Sequence, residues 1–171
     1  MSLKAGSMRE SINNIYTVLR EDETLMRILH YPPRDRAKGY LDPLDVALDD
    51  IVNESSDKYW DIVDKTIRKS EKTTDIEKDA LCRLYIHPGR RRPVFGNYLL
   101  ADQEIVVDVY VNEKFSKDDR LSWICDKVNE LIVHERLAAY GKLEFAAGNP
   151  RVAPIGYSLY ELVYKYTANK K

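Results

Sequence analysis

Histidine and cysteine are both scarce in this chain, and that scarcity removes whole classes of chemistry. The three histidines, His30, His87 and His134, lie far apart. None has a second histidine or a carboxylate at a metal-ligand spacing such as HExxH. The two cysteines, Cys82 and Cys125, sit in apolar patterns with no CxxC spacing. They read as buried free thiols suited to a reducing compartment. No serine occupies a GxSxG elbow, and the seven glycines form neither a phosphate-binding loop nor a dinucleotide fingerprint. No apolar stretch approaches the roughly 20 residues that a membrane-spanning helix needs. Net charge is also lacking: the formal balance is −1, which argues against strong non-specific binding to nucleic acid by the whole molecule.

What is present suits a folded chain. Hydrophobic residues make up 44% and charged residues 32% of 171 positions, enough for one core under a solvated surface. Twelve tyrosines stand against three phenylalanines. Tyrosine has an apolar body and a polar tip, so it fits half-buried sheet faces and interfaces. Residues 1–7, with a second methionine following at Met8, read as a cloning remnant and are set aside.

The front of the chain reads as helical. Ile12, Ile15, Tyr16 and Leu19 recur at helical spacing, and Asp22 can cap a short helix bearing Leu25, Met26 and Leu29. Tyr31-Pro32-Pro33 ends it, because proline cannot continue the hydrogen-bond ladder. Pro43 can open a further helix to Val52, with Leu44, Ala47, Leu48 and Ile51 on one face. A helix after Ser55-Ser56-Asp57 turns Tyr59, Ile62, Val63 and Ile67 inward. The polar run from Arg68 to Asp75 then separates an N-terminal helical segment, 8–72, from a mixed segment, 76–168.

The second segment alternates with period two. Ala80, Cys82, Leu84 and Ile86 form one face of a half-buried strand, and Ile105, Val107, Val109 and Val111 one face of another. Leu121, Ile124, Cys125, Val128, Leu131 and Ile132 mark an amphipathic helix within 119–137. Residues 142–147 and 157–166 read as strands around a loop at 148–156. The fold class is therefore α+β: a small, mainly antiparallel sheet with packed helices and an N-terminal helical segment, all in one compact unit.

Two surfaces invite a functional reading. Arg90, Arg91 and Arg92 follow the turn signal Pro88-Gly89 and precede Pro93, which places three guanidiniums at a hairpin tip where they can meet carboxylates or phosphates. Tyr157, Tyr160 and Tyr164 line the last strand and would form a partner surface if it were a sheet edge. The opposing reading buries those tyrosines under helices. Asp102, Glu104 and Asp108 would bind a metal, as in a small metal-dependent nuclease, if they converged. No catalytic, cofactor-binding or metal site is otherwise visible. A regulatory or toxin-neutralising protein-binding module built on the same sheet is a further alternative.

The run Ile105–Val111, Asp119–Val133, Gly141-Lys142-Leu143-Glu144-Phe145 and Gly156–Tyr166 resembles the small neck proteins of long-tailed bacteriophages, the head–tail connectors and tail terminators often found in prophages of Gram-positive bacteria. The likeness spans residues 9–167 and rests on pattern and order. The resemblance implies a structural subunit without cofactor or catalysis. Such subunits close into a ring, usually six-fold, and are assembled in the bacterial cytoplasm into the neck or tail of a virion. It implies as partners further copies of the chain, other neck proteins and the tail tube, with no membrane and no specific nucleic acid. Arms of such subunits commonly reach neighbours, which here points to residues 87–100. The helical stretch from Pro43 to Ser70 is longer than a minimal terminator would carry.

Overall fold

A computed structural model describes residues 7–69, 76, 82–95, 97–138 and 141–168. Helix α1 spans Ser7–Glu21 and α2 spans Glu23–His30. Ser7, set aside with the remnant, opens α1, and its carbonyl accepts a hydrogen bond from the Ser11 hydroxyl at 2.8 Å. Asp22 caps α2 as the sequence predicts, its carboxylate accepting from the Leu25 N–H at 2.7 Å. Tyr31 ends α2 with extended backbone ahead of the two prolines.

The expected helix from Pro43 to Val52 does not form; the segment is a series of turns. Asp42 and Asp45 accept from the N–H groups two residues on, at Leu44 and Ala47, both at 2.9 Å. Such Asx turns compete with helix for the same backbone donors. Arg27 of α2 supplies what the helix would have supplied to the carbonyls. Its guanidinium donates to the carbonyl oxygens of Pro43 at 2.8 Å, Leu48 at 3.4 Å, and Asp45. Glu23 accepts from the N–H groups of Ile51 and Val52. Leu44 and Val46 are left exposed while Ile51 is buried.

Helix α3 covers Asp57–Thr66 and runs into a two-residue strand, β1 (Ile67–Arg68). Ile67 is thus buried as expected, but from a strand. Strands β2 (Cys82–Val94) and β3 (Asn97–Asn112) form a long hairpin. Helix α4 (Arg120–Ile132) follows, then β4 (Glu144–Arg151) and β5 (Tyr157–Ala168). The sheet order is β1-β2-β3-β5-β4, antiparallel except for the β1–β2 pair. The α+β class holds. Among the described residues no helix is long and apolar enough to cross a membrane.

One apolar cluster joins both halves of the chain. Ile15, Leu19 and Leu25 from the front pack with Leu84, Val107, Ile124 and Val128 from the back. Burial on the scale of ~25 cal/mol per Å² of apolar surface makes this shared core the main reason the two segments stay together. The other face of the sheet is covered as well over part of its length. Tyr85, Tyr110, Tyr157 and Leu159 pack with Ile76 in a second cluster. Strand β2 is therefore buried on both faces from Cys82 to Ile86, not half-buried, and Arg83 is only 1% exposed. It donates to the carbonyl oxygen of Lys65 at 2.8 Å and to the Tyr85 hydroxyl at 3.2 Å, which meets the requirement that a buried charge be partnered.

Helix α4 stops at Ile132, short of the expected 137. His134 lies beyond its end with a left-handed backbone (φ 65°), its N–H bonded to the Leu143 carbonyl at 2.8 Å. Leu143 N–H returns the bond to Glu135. This tertiary pairing takes the donor that a further helical turn would have used.

Candidate assembly surfaces

The arginines sit on the long hairpin, but not at its tip. Pairing runs from Cys82↔Val111 to Val94↔Asn97, so the turn falls after Val94 and the apex residue is Phe95. Pro88-Gly89 is not a turn: the register shifts between Pro88 and Arg91 while the strand continues, as at a bulge. Arg90, Arg91 and Arg92 are all exposed along this ribbon, and Phe95 is fully exposed. The last described pairing with β5 is Ala101↔Ala168; beyond it, among the described residues, the hairpin has only its own two strands. The sequence analysis missed Phe95; the signal was the adjacent Gly96-Asn97, a turn dipeptide between two extended runs.

The tyrosine strand is not an edge. Strand β5 pairs with β3 on one side and β4 on the other. Tyr164 is buried in the main core and Tyr157 in the second cluster, while Tyr160 is partly buried. Burial raises the Tyr164 hydroxyl well above its ordinary pKa, and the group donates to Asn129 Oδ1 at 2.6 Å. Two of the three tyrosines are therefore packing residues: Tyr164 lies under α4 in the main cluster and Tyr157 against Ile76 in the second. Strand β4 also runs further than expected, through Gly148-Asn149-Pro150 to Arg151. Pro150 is tolerated because β4 is the outer strand. Gly148 lies close to Tyr160: a Cβ there would sit 2.9 Å from the ring and would make it shift.

The three carboxylates do not converge. Asp102, Glu104 and Asp108 point to the same face of β3, but at ~3.3 Å per residue the outer two are roughly 20 Å apart along the strand. Asp108 is buried and engaged by His87, with Nε2 at 2.9 Å from Oδ2. Glu104 accepts from the Arg90 N–H at 3.2 Å. Among the described residues no group of three His, Cys, Asp or Glu is placed to hold a metal.

A groove opens on the helical side of the sheet where α4 ends its cover and β4 begins. Its volume is about 340 Å³. Leu121 and Cys125 of α4 form one wall, Phe145 of β4 the other, and Tyr160 and Leu162 the floor, with Asp126 on the rim. Phe145 meets Tyr164 edge to face, with centroids 6.0 Å apart. Cys125 and Cys82 are both buried, and burial pushes each thiol up to about 12, which leaves them poor nucleophiles.

The described residues thus present an exposed arginine-bearing hairpin, a buried tyrosine strand and an apolar groove on an α+β sheet. Comparison with known proteins agrees in fold and adds ancestry. The YomW family profile matches residues 22–166, and the chain belongs to the YomW family. The SPbeta prophage-derived protein YomW of Bacillus subtilis (strain 168) is 26% identical over 176 residues, covering 94% of this chain and 97% of the relative. A chain from the virion of a native gene transfer agent particle shares the fold with a TM-score of 0.55. It is 12% identical and covers 98% of this chain and 100% of its own.

Proposed function

We propose that this protein is a structural subunit of the head–tail junction of a long-tailed phage particle, a connector or tail terminator that closes into a ring and catalyses nothing. The observation that carries the reading is the β2–β3 arm. A two-stranded ribbon is marginal in water without a covering surface, yet this hairpin runs past the last described β5 pairing with Phe95 bare at its apex, and Arg90, Arg91 and Arg92 lie exposed on β2 just before that point. A head-to-tail contact repeated about an axis covers every arm and leaves no subunit different from the rest. The prophage origin of the YomW relative and the fold shared with a virion chain support a particle component. The engagement of Asp108 by His87 and the spread of the carboxylates speak against a metal-dependent nuclease.

The test is electron microscopy with light scattering on wild type and on a variant with Arg90, Arg91 and Arg92 all changed to Ser, each with and without phage tail tubes. Wild type should form rings, most simply six-fold, or cap tubes. The variant should fold normally and assemble less. Wild-type assembly should loosen as salt shortens the Debye length from ~10 Å at 0.1 M to ~3 Å at 1 M. Equal assembly by both proteins would show the arginines to be solvated only. Wild type that neither associates nor caps tubes would overturn the ring reading.

A further inference from the structure

Among the described residues Phe95 is a fully exposed aromatic and the α4/β4 groove an aromatic-lined hollow, and the two lie at different places on one molecule. Phe145 is level with Tyr164 and Ile105 across the sheet. Phe95 lies seven residues beyond Pro88, the β2 partner of Ile105, at most roughly 23 Å further along the hairpin at ~3.3 Å per residue. The paired strands hold the arm extended in the direction that leads away from the groove. The chain therefore carries an aromatic knob at one place and an aromatic-lined hole at another. That is the arrangement of a heterologous contact, in which one patch of a subunit meets a different patch of the next.

The free edges of the sheet point the same way. Pro88 and Pro93 interrupt the outer side of β2, and Pro150 interrupts β4. Prolines at both edges oppose joining of copies by strand addition. Side-chain docking is what remains. Charge is matched as well: Arg90, Arg91 and Arg92 precede the knob on β2, while the exposed Asp126 sits on the groove's rim. Val152 and Ile155, also exposed, lie on the loop between β4 and β5 and do not line this groove.

We infer that the groove between α4 and β4 is the receptor for the arm of a second copy of this chain. Phe95 seats against Leu121, Phe145, Tyr160 and Leu162, and the arm's arginines face Asp126. An aromatic anchor in a desolvated hole with charges at the rim is the usual anatomy of an energetic centre in an interface. This inference rests on the ring reading above and specifies its contact.

The experiment mixes two variants, Phe95→Cys and Ser122→Cys, Ser122 being an exposed residue at the groove's wall. Mild oxidation by a copper–phenanthroline catalyst with dissolved oxygen should join them as a disulfide-linked dimer, well above the yield of either variant alone. A chain carrying both changes should give a ladder of cross-linked species. Phe95→Ser and Asp126→Arg should each raise the concentration needed for assembly, Phe95→Ser by at least about tenfold, with unchanged thermal unfolding of the dilute protein. Rings that form from wild type without the cross-link, and that persist unchanged in Phe95→Ser, would overturn this contact and leave the ring reading standing. A protein that stays monomeric at every concentration, gives no cross-link and caps no tubes would overturn both.

Discussion

Arg120 donates through Nη1 to the carbonyl oxygen of Tyr31 at 2.8 Å, across 89 residues of sequence. The same nitrogen reaches the Ile28 carbonyl, and Nη2 pairs with Asp118 at 2.6 Å. The guanidinium is fully buried. It takes up carbonyls at the C-terminal end of α2, which that helix cannot satisfy itself, and fixes them to the start of α4. The front helices and the sheet are thereby one folding unit. Arg120→Met should destabilise by about 3–5 kcal/mol, since carbonyls and a carboxylate lose a buried donor. Urea unfolding measures this; a change under ~1 kcal/mol would show that water substitutes for the arginine.

Core and arm should respond oppositely to truncation. Ile124 of α4 is fully buried in the main cluster, and Ile124→Ala should cost about 2–5 kcal/mol. Phe95→Ser removes a ring that touches no core, so monomer stability should stay within ~0.5 kcal/mol of wild type. Equal losses at the two positions would mean that Phe95 packs inside its own subunit.

Burial, and after it Lys58 and Lys65, holds the His30 ring below the ordinary histidine pKa. The unfolded chain then binds a proton at a pH where the folded chain does not. Stability should therefore fall as pH drops below ~6.5, with the loss levelling once the folded ring is also protonated. In His30→Gln this component disappears. Unfolding midpoints of the two proteins between pH 7.5 and 5.5 should diverge in slope, wild type being the steeper; parallel curves would refute the assignment.

Both thiols should be silent in the native state. With each pushed up to about 12 by burial, Cys82 and Cys125 should react slowly with a thiol reagent at pH 8 and fully in denaturant. A fast native phase would reveal that the groove beside Cys125 opens.

Divalent metals should neither bind tightly nor support DNA cleavage. Calorimetry with Mg²⁺ and Mn²⁺ and a plasmid assay check this. Cleavage that vanishes in Asp108→Ala would overturn the reading of the protein as purely structural.

Much of this fold is set by local patterns in the chain. The stripe from Leu121 to Ile132 makes a helix because apolar side chains three and four apart share a face. Asp22 starts α2 because its carboxylate takes an orphan N–H. The alternation of Ile105 to Val111 makes a strand because successive side chains point to opposite faces. These signals lie within a few residues of the structure they specify, so the sequence by itself determined the elements and the α+β class. The rest depended on groups distant in the chain. Residues 43–52 are turns because Arg27 and Glu23 bind their backbone, and no periodicity within the segment reports that. Gly148-Asn149-Pro150 is strand because β5 is there to pair with it. Tyr164 is buried because α4 packs across its face of the sheet, and Tyr157 because Ile76 covers the other face. The arginines lie along a ribbon because the pairing of β2 with β3 outlasts Pro88-Gly89 and places Phe95 at the apex. Which residues remain exposed for a partner was decided by tertiary structure alone, since exposure is what is left after every other surface has found its neighbour.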